Sequence, residues 1–283
     1  MFVLLQKRLP KHLLSNITGA LTRLEFGFVT HAAIRLFIRL FGVDMRDAVN
    51  ENVADYVSFN AFFTRALKPE ARPLCGDTDT VACPADGTIS EIGTIDDESL
   101  IQAKGVRYSL ASLFDDDAAL GARYHGGHFA TIYLAPYNYH RVHMPLSGKP
   151  THLQYVPGKL FSVNRATVDG LANLFCINER VAVHFERDDG VFSLVMVGAM
   201  NVGSIELTLP HERPFINRPH LSHQPDAKID FESAALQRGD EFGRFNMGST
   251  VIFVASSGLL EWDSAKASGQ TVLVNESIGK LKH

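Results

Sequence analysis

The chain has 283 residues and a mass of 31.2 kDa, with 46% apolar and 20% charged side chains, a composition that excludes a disordered protein. A formal net charge of -4 gives no general attraction to nucleic acid. Cys75, Cys83 and Cys176 are odd in number and form no CxxC pair, which argues against a disulfide framework or a zinc knuckle.

The opening MFVLLQKRLPKHLLSNITGAL begins apolar and carries its charges afterwards, with Pro10 close behind. It therefore does not read as a signal peptide. No uncharged apolar run reaches the roughly 18 residues of a spanning helix. Residues 12–26 and 31–42 read as amphipathic helices. Through Phe41 the chain carries Lys7, Arg8, Lys11, Arg23, Arg35 and Arg39 against Glu25 alone. A basic, apolar start on an acidic body points to an anionic membrane surface. Packing of the same helices on the protein's own core is equally open from the pattern.

A third helix is expected in VSFNAFFTRALK, ended by Pro69. From about Val81 the texture becomes short β-prone runs between Gly, Asp and Pro, as in HFATIYLA, THLQYVP, RVAVHFER and STVIFVA. The acidic stretch DAKIDFESAALQRGDEFG reads as a loop. The expected fold is α+β: a helical N-terminal layer, residues 1–70, followed by a mostly antiparallel β-rich domain, residues 71–283.

Four stretches could carry chemistry. In CPADGTISEIG, Asp86-Gly87 has the look of a turn. In YLAPYNYHRVHMP, His140 and His143 stand three apart in an extended context, where they face opposite ways and do not clamp a metal together. No HExxH motif or third ligand is near, so no metal site is expected. In YVPGKLFSVN the Gly-Lys pair lacks the spacing of a phosphate-binding loop. Gly248-Ser249-Thr250 stands at the mouth of an apolar strand and is not a GxSxG elbow. A serine, a histidine to take its proton and an aspartate to orient the imidazole make a nucleophilic set, here Ser249, His143 and Asp86.

The segments FNAFFTRALKPEARP, PADGTI, IQAKGVRYSL, YHRVHMP, YVPGKLFSVN, NERV, VGAMNVGSI and GRFNMGST run in the order of one family. Together they resemble the bacterial, membrane-associated phosphatidylserine decarboxylases over nearly the whole chain. Met247 stands where that family commonly has Leu, a volume-conserving change.

The resemblance implies a proenzyme that cuts itself between Gly248 and Ser249, with Asp86, His143 and Ser249 as the self-processing triad. Attack of Ser249 on the Gly248 carbonyl would give an ester. Elimination and hydrolysis would then leave a pyruvoyl group on residue 249. The products would be a large β subunit, 1–248, and a small α subunit, 249–283, held as a heterodimer, with further dimerisation open. The pyruvoyl cofactor would form a Schiff base with phosphatidylserine and decarboxylate it to phosphatidylethanolamine in phospholipid biosynthesis. His140 or His143 would return the proton. The expected location is the cytoplasmic side of the cell membrane, peripherally bound to anionic lipid. Two other readings stay open from the residues: a Ser/His/Asp hydrolase without self-cleavage, and a non-enzymatic, β-rich membrane-binding module.

Overall fold

The structure is a computed structural model describing residues 2–96, 98–200, 204–208, 215–217 and 235–282. Three helices open the chain: α1 (Phe2–Arg8), α2 (Lys11–Leu21) and α3 (Phe28–Phe41), with the short α4 (Phe59–Phe63) behind them. Ser58 caps α4 by accepting from the Ala61 amide, the ordinary solution for an orphan donor in a first turn. Gly42 closes α3 in the left-handed conformation at φ +65°, the usual glycine stop. The third helix is shorter than the expected 57–68, because Thr64 ends it and Leu67 bridges back to Ala48.

The strands up to the chain midpoint are β1 (Thr80–Ala82), β2 (Gly87–Thr94), β3 (Ser99–Ala103), β4 (Val106–Ser109), β5 (His128–Leu134), β6 (Arg141–His143) and β7 (Lys149–Val156). They continue as β8 (Arg180–Arg187), β9 (Gly190–Val197), β10 (Ile205–Leu207), β11 (Phe215–Asn217), β12 (Glu241–Phe245) and β13 (Ser249–Ala255). Last come β14 (Leu260–Trp262), β15 (Thr271–Val272) and β16 (Ser277–Leu281). Every pairing among the named strands is antiparallel. The architecture is α+β and rich in strand, as expected. Residues 226–234 of the expected acidic loop lie outside the described residues, and its last three, Glu241–Gly243, open β12.

A seven-stranded sheet in the order β15-β2-β5-β13-β9-β8-β7 carries the main core. At its middle lies β13, with Ser249 opposite Leu134 on one side and Thr250 opposite Val197 on the other. Val251, Ile252, Phe253, Val254 and Ala255 are fully buried, which is why this strand reads as an unbroken apolar run. Burial of the four larger side chains stabilises the strand's place by roughly 6–12 kcal/mol. β16 pairs with β1 and β14, and β15 pairs with β2. Residues after 248 are thus laced into two sheets. A second sheet, β11-β10-β12-β6, places His143 opposite Glu241.

The helical layer divides its apolar residues. Ile34 is buried in a small core with Val43, Tyr56 and Phe62, and Phe37 packs edge-on against Phe59 with ring centroids 5.2 Å apart. Phe28, Val29, Leu36 and Leu40 on α3, and Leu13, Ile17 and Leu21 on α2, stay exposed. One face of the helical layer thus packs on the protein's own core, and another is left exposed. Gln6 ties α1 to the body, donating to Thr167 Oγ1 at 3.1 Å and accepting from the Ser162 amide at 2.8 Å. No helix among the described residues is long and apolar enough to cross a membrane.

Candidate active site

Ser249 is the first residue of β13 and is placed by its backbone; its side chain lies outside the described part of the structure. The two residues before it turn through the left-handed region, Met247 at φ +94° and Gly248 at φ +40°. A Cβ on Gly248 would meet nothing within 4 Å. Glycine is therefore favoured there by backbone conformation and not by crowding. Met247 has no such freedom and is strained. The strain sits one residue from the expected point of cleavage.

Asp86 immediately precedes β2 and is buried, not at the tip of a hairpin turn as Asp-Gly suggested. The following Gly87 is needed because a Cβ would lie 2.3 Å from the Tyr133 carbonyl oxygen. The Asp86 carboxylate takes three kinds of donor contact. The Arg72 Nε donates at 3.0 Å to Oδ1, Arg72 Nη2 at 2.7 Å to Oδ2, and the Val274 amide at 2.8 Å to Oδ1. Arg72 also reaches Asp47 at 2.9 Å. Burial works against the Arg72 charge, but the Asp86 hydrogen bond and charge outweigh it and raise its pKa.

His143 ends β6, and its amide donates to the Pro84 carbonyl at 2.8 Å, which brings it beside Asp86. The two side chains share no hydrogen bond in this uncleaved chain. His143 Nδ1 instead faces the Gly239 carbonyl at 2.8 Å. A carbonyl only accepts, so Nδ1 carries the proton and Nε2 keeps the basic lone pair. That lone pair accepts from the Tyr139 hydroxyl at 3.0 Å. Burial lowers the His143 pKa, opposed by the Gly239 carbonyl and by the charges of Glu241 and Asp86. The ring is thus a neutral base near pH 7, and Asp86 acts on it through space.

His140 is fully buried, stacked on Phe63 with centroids 4.1 Å apart. The carbonyls of Ala135 and Pro136 lie beside the ring, yet neither ring nitrogen reaches hydrogen-bond geometry with a described residue. Burial and the Arg65 charge push its pKa down to about 3. It holds no spare proton at neutral pH. Its backbone carbonyl accepts from the Phe245 amide at 3.0 Å, which sets it against the strand leading to the Gly248-Ser249-Thr250 motif.

Comparison with known proteins fits this arrangement. The profile described as phosphatidylserine decarboxylase matches residues 59–280, and a second, described as PSD, matches residues 1–42. The chain belongs to the phosphatidylserine decarboxylase family. It is similar to the phosphatidylserine decarboxylase proenzyme of Nitrosococcus oceani, 43% identical over 98% of this chain and 90% of that protein. The proenzyme of Delftia acidovorans is 48% identical over 91% of this chain and 89% of its own length. That of Coxiella burnetii is 42% identical over 98% and 97%.

Arg72, Tyr139 and Gly239 make the hydrogen bonds that hold the two expected residues, and no spacing rule singles them out. Tyr139 follows a turn at Ala135–Asn138, where the Asn138 side chain accepts from the Ala135 amide at 2.8 Å. Two further tethers lie just before the Gly248-Ser249-Thr250 motif. Asn246 donates to Ser204 Oγ at 2.8 Å and accepts from Asn60 Nδ2 at 2.9 Å. Arg23, just beyond α2, donates to the same Ser204 oxygen at 3.1 Å. The helical layer is thereby connected by hydrogen bonds to the strand that carries the motif.

Proposed function

We propose that the chain is a proenzyme that severs its own Gly248–Ser249 bond and then decarboxylates phosphatidylserine to phosphatidylethanolamine. The observation that carries this reading is the left-handed Met247–Gly248 pair feeding Ser249 into the centre of the main sheet. Strain at that point favours attack on the Gly248 carbonyl. Pairing of β13 on both edges would keep the severed piece, 249–283, bound to 1–248 as a heterodimer.

In the self-cleavage step the Ser249 hydroxyl adds to the Gly248 carbonyl carbon, and His143 Nε2 takes its proton once the Tyr139 hydroxyl swings away. The C–N bond then breaks, the proton passes to the leaving nitrogen, and an ester joins Gly248 to Ser249. Asp86 supports the imidazolium by its charge, while the Gly239 carbonyl holds the tautomer.

The fit of a pyruvoyl group at position 249 is supported by that fixed strand start and by the buried, unpartnered ring nitrogens of His140 nearby in the fold. Such a group supplies an electrophilic carbonyl that takes the substrate amine and accepts the electrons released with carbon dioxide. His140, neutral at rest, is the residue to orient the head group or to carry a proton once substrate charge raises its affinity for one. His143, a neutral base, is the other candidate to carry the proton.

The exposed apolar faces of α2 and α3, with basic residues around them, support peripheral docking on an anionic cytoplasmic leaflet. Pairing of processed heterodimers is compatible with this reading.

Intact mass under denaturing, non-reducing conditions tests the proposal. The expected result is two species, the smaller beginning at residue 249 and lighter than its unmodified sequence by one ammonia. A single full-length species, labelled at Ser249 by an acyl-serine probe, would overturn it in favour of a hydrolase.

A further inference from the structure

We infer that the cleft around Arg65 is an anion site that receives the phosphodiester of the lipid head group. The inference rests on the decarboxylase reading for the identity of the lipid, and on the geometry for the site itself.

Arg65 is only 5% exposed, and no carboxylate among the described residues pairs with it. Its Nη2 makes one long contact, 3.3 Å, to the Tyr137 carbonyl. Its Nε is buried with no hydrogen-bond partner among the described residues. The guanidinium lies over the Phe62 ring at 5.4 Å. A buried guanidinium with an unmet donor is costly, and such groups persist where a ligand meets them. Arginine forks match the oxygens of a phosphate in number and direction.

The surroundings fit an anion of low charge. Arg65, Asn60, Arg141, Arg244 and Asn246 line one cleft of about 430 Å³. Arg141 is already paired with Glu241, and Arg244 with Glu206. Arg65 is therefore the cation in this group with no carboxylate at ion-pair distance among the described residues, Asp86 acting on it only through space. Arg244 Nε is also buried without a partner among the described residues, so two unmet guanidinium donors, on Arg65 and Arg244, line one cleft. Asp55 also lines the cleft but is exposed to water, where its charge is screened.

Position ties the cleft to the chemistry. Asn246 stands three residues before Ser249, a reach of at most about 11 Å along the chain. Arg65 also acts electrostatically on His140. A diester monoanion whose amine is engaged at residue 249 would present its phosphate to this cleft. Inorganic phosphate offers the same oxygens, so a test must separate the two sources.

Arg65→Gln and Arg65→Lys proteins, matured to the two-chain form, should be assayed on phosphatidylserine in mixed micelles. The expected result for Arg65→Gln is a KM raised about 10- to 100-fold with kcat within about threefold, and partial recovery in Arg65→Lys. In parallel, inorganic phosphate is titrated calorimetrically into both proteins and added to the assay as a competitor. Phosphate that binds the wild type, competes with lipid and loses its hold in Arg65→Gln supports the head-group site. An unchanged KM overturns it. Phosphate bound through Arg65 without competition against lipid overturns it too, since the cleft would then serve free phosphate. The calorimetric arm needs no turnover, so a wild type that fails to decarboxylate sinks the decarboxylase reading and still reports on the cleft. Should Arg65→Gln fail to fold, Asn60→Asp, which sets a carboxylate in the same cleft, is read by the same outcomes.

Discussion

Replacing Arg72 with Met tests how the site holds its buried carboxylate. The change leaves Asp86, 3% exposed, with the Val274 amide as its one remaining donor among the described residues. Removing one partner of a buried ion pair costs about 3–5 kcal/mol, mostly the penalty of the stranded charge. The Arg72 side chain is itself 17% exposed, so water enters part of the gap and the expected loss falls to about 2–4 kcal/mol. The Arg72–Asp47 contact adds little, because Asp47 is 43% exposed. Adding Asp86→Asn removes the stranded charge and should restore at least half of the loss. The measurement is urea unfolding at pH 7 on a Ser249→Ala background, which keeps the chain in one piece and the transition interpretable. Arg72→Met within about 0.5 kcal/mol of its parent would refute the reasoning. So would a double variant as unstable as the sum of the two single ones.

Met247→Gly relieves strain of about 1–3 kcal/mol at φ +94°; if that strain assists attack, self-cleavage slows about fivefold or more, and a time course of band conversion at an unchanged or faster rate would count against it. Buried neutral histidines make the fold acid-sensitive: His140 and His184 are both pushed down to about 3 by burial. The unfolded chain takes up their protons near pH 6.5 and the folded chain does not, so their stability is fully present above that pH and is lost as pH falls. Between pH 7 and pH 5 the loss is about 2 kcal/mol for each, read as a drop in urea midpoint that is clearly smaller in the His140→Gln, His184→Gln double variant. Leu36 and Leu40 are 58% and 69% exposed. Changing both to Asp should leave the unfolding midpoint in place and weaken sedimentation with phosphatidylserine-containing vesicles by about tenfold or more, and undiminished binding would remove the docking face.

Several elements were legible in the chain because local pattern and burial agree. Residues 180–187 and 249–255 are strands along the whole of RVAVHFER and STVIFVA, since β-branched and aromatic runs of that length suit a pleated, buried surface. The helical start, the β-rich remainder and the Gly-Ser-Thr motif could likewise be read directly, and the motif order carried the family. Three matters belonged to the tertiary structure alone. The helical layer has one face in a small core and another left bare, a division periodicity cannot make when apolar residues surround the helix. The partners of Asp86 and His143 come from residues 72, 139, 239 and 274, brought together by tertiary contacts that no spacing records. Arg65 reads in sequence as one more charge on a helix. Its burial without a carboxylate is a property of the packed cleft, because whether a charge is met depends on what the fold sets around it.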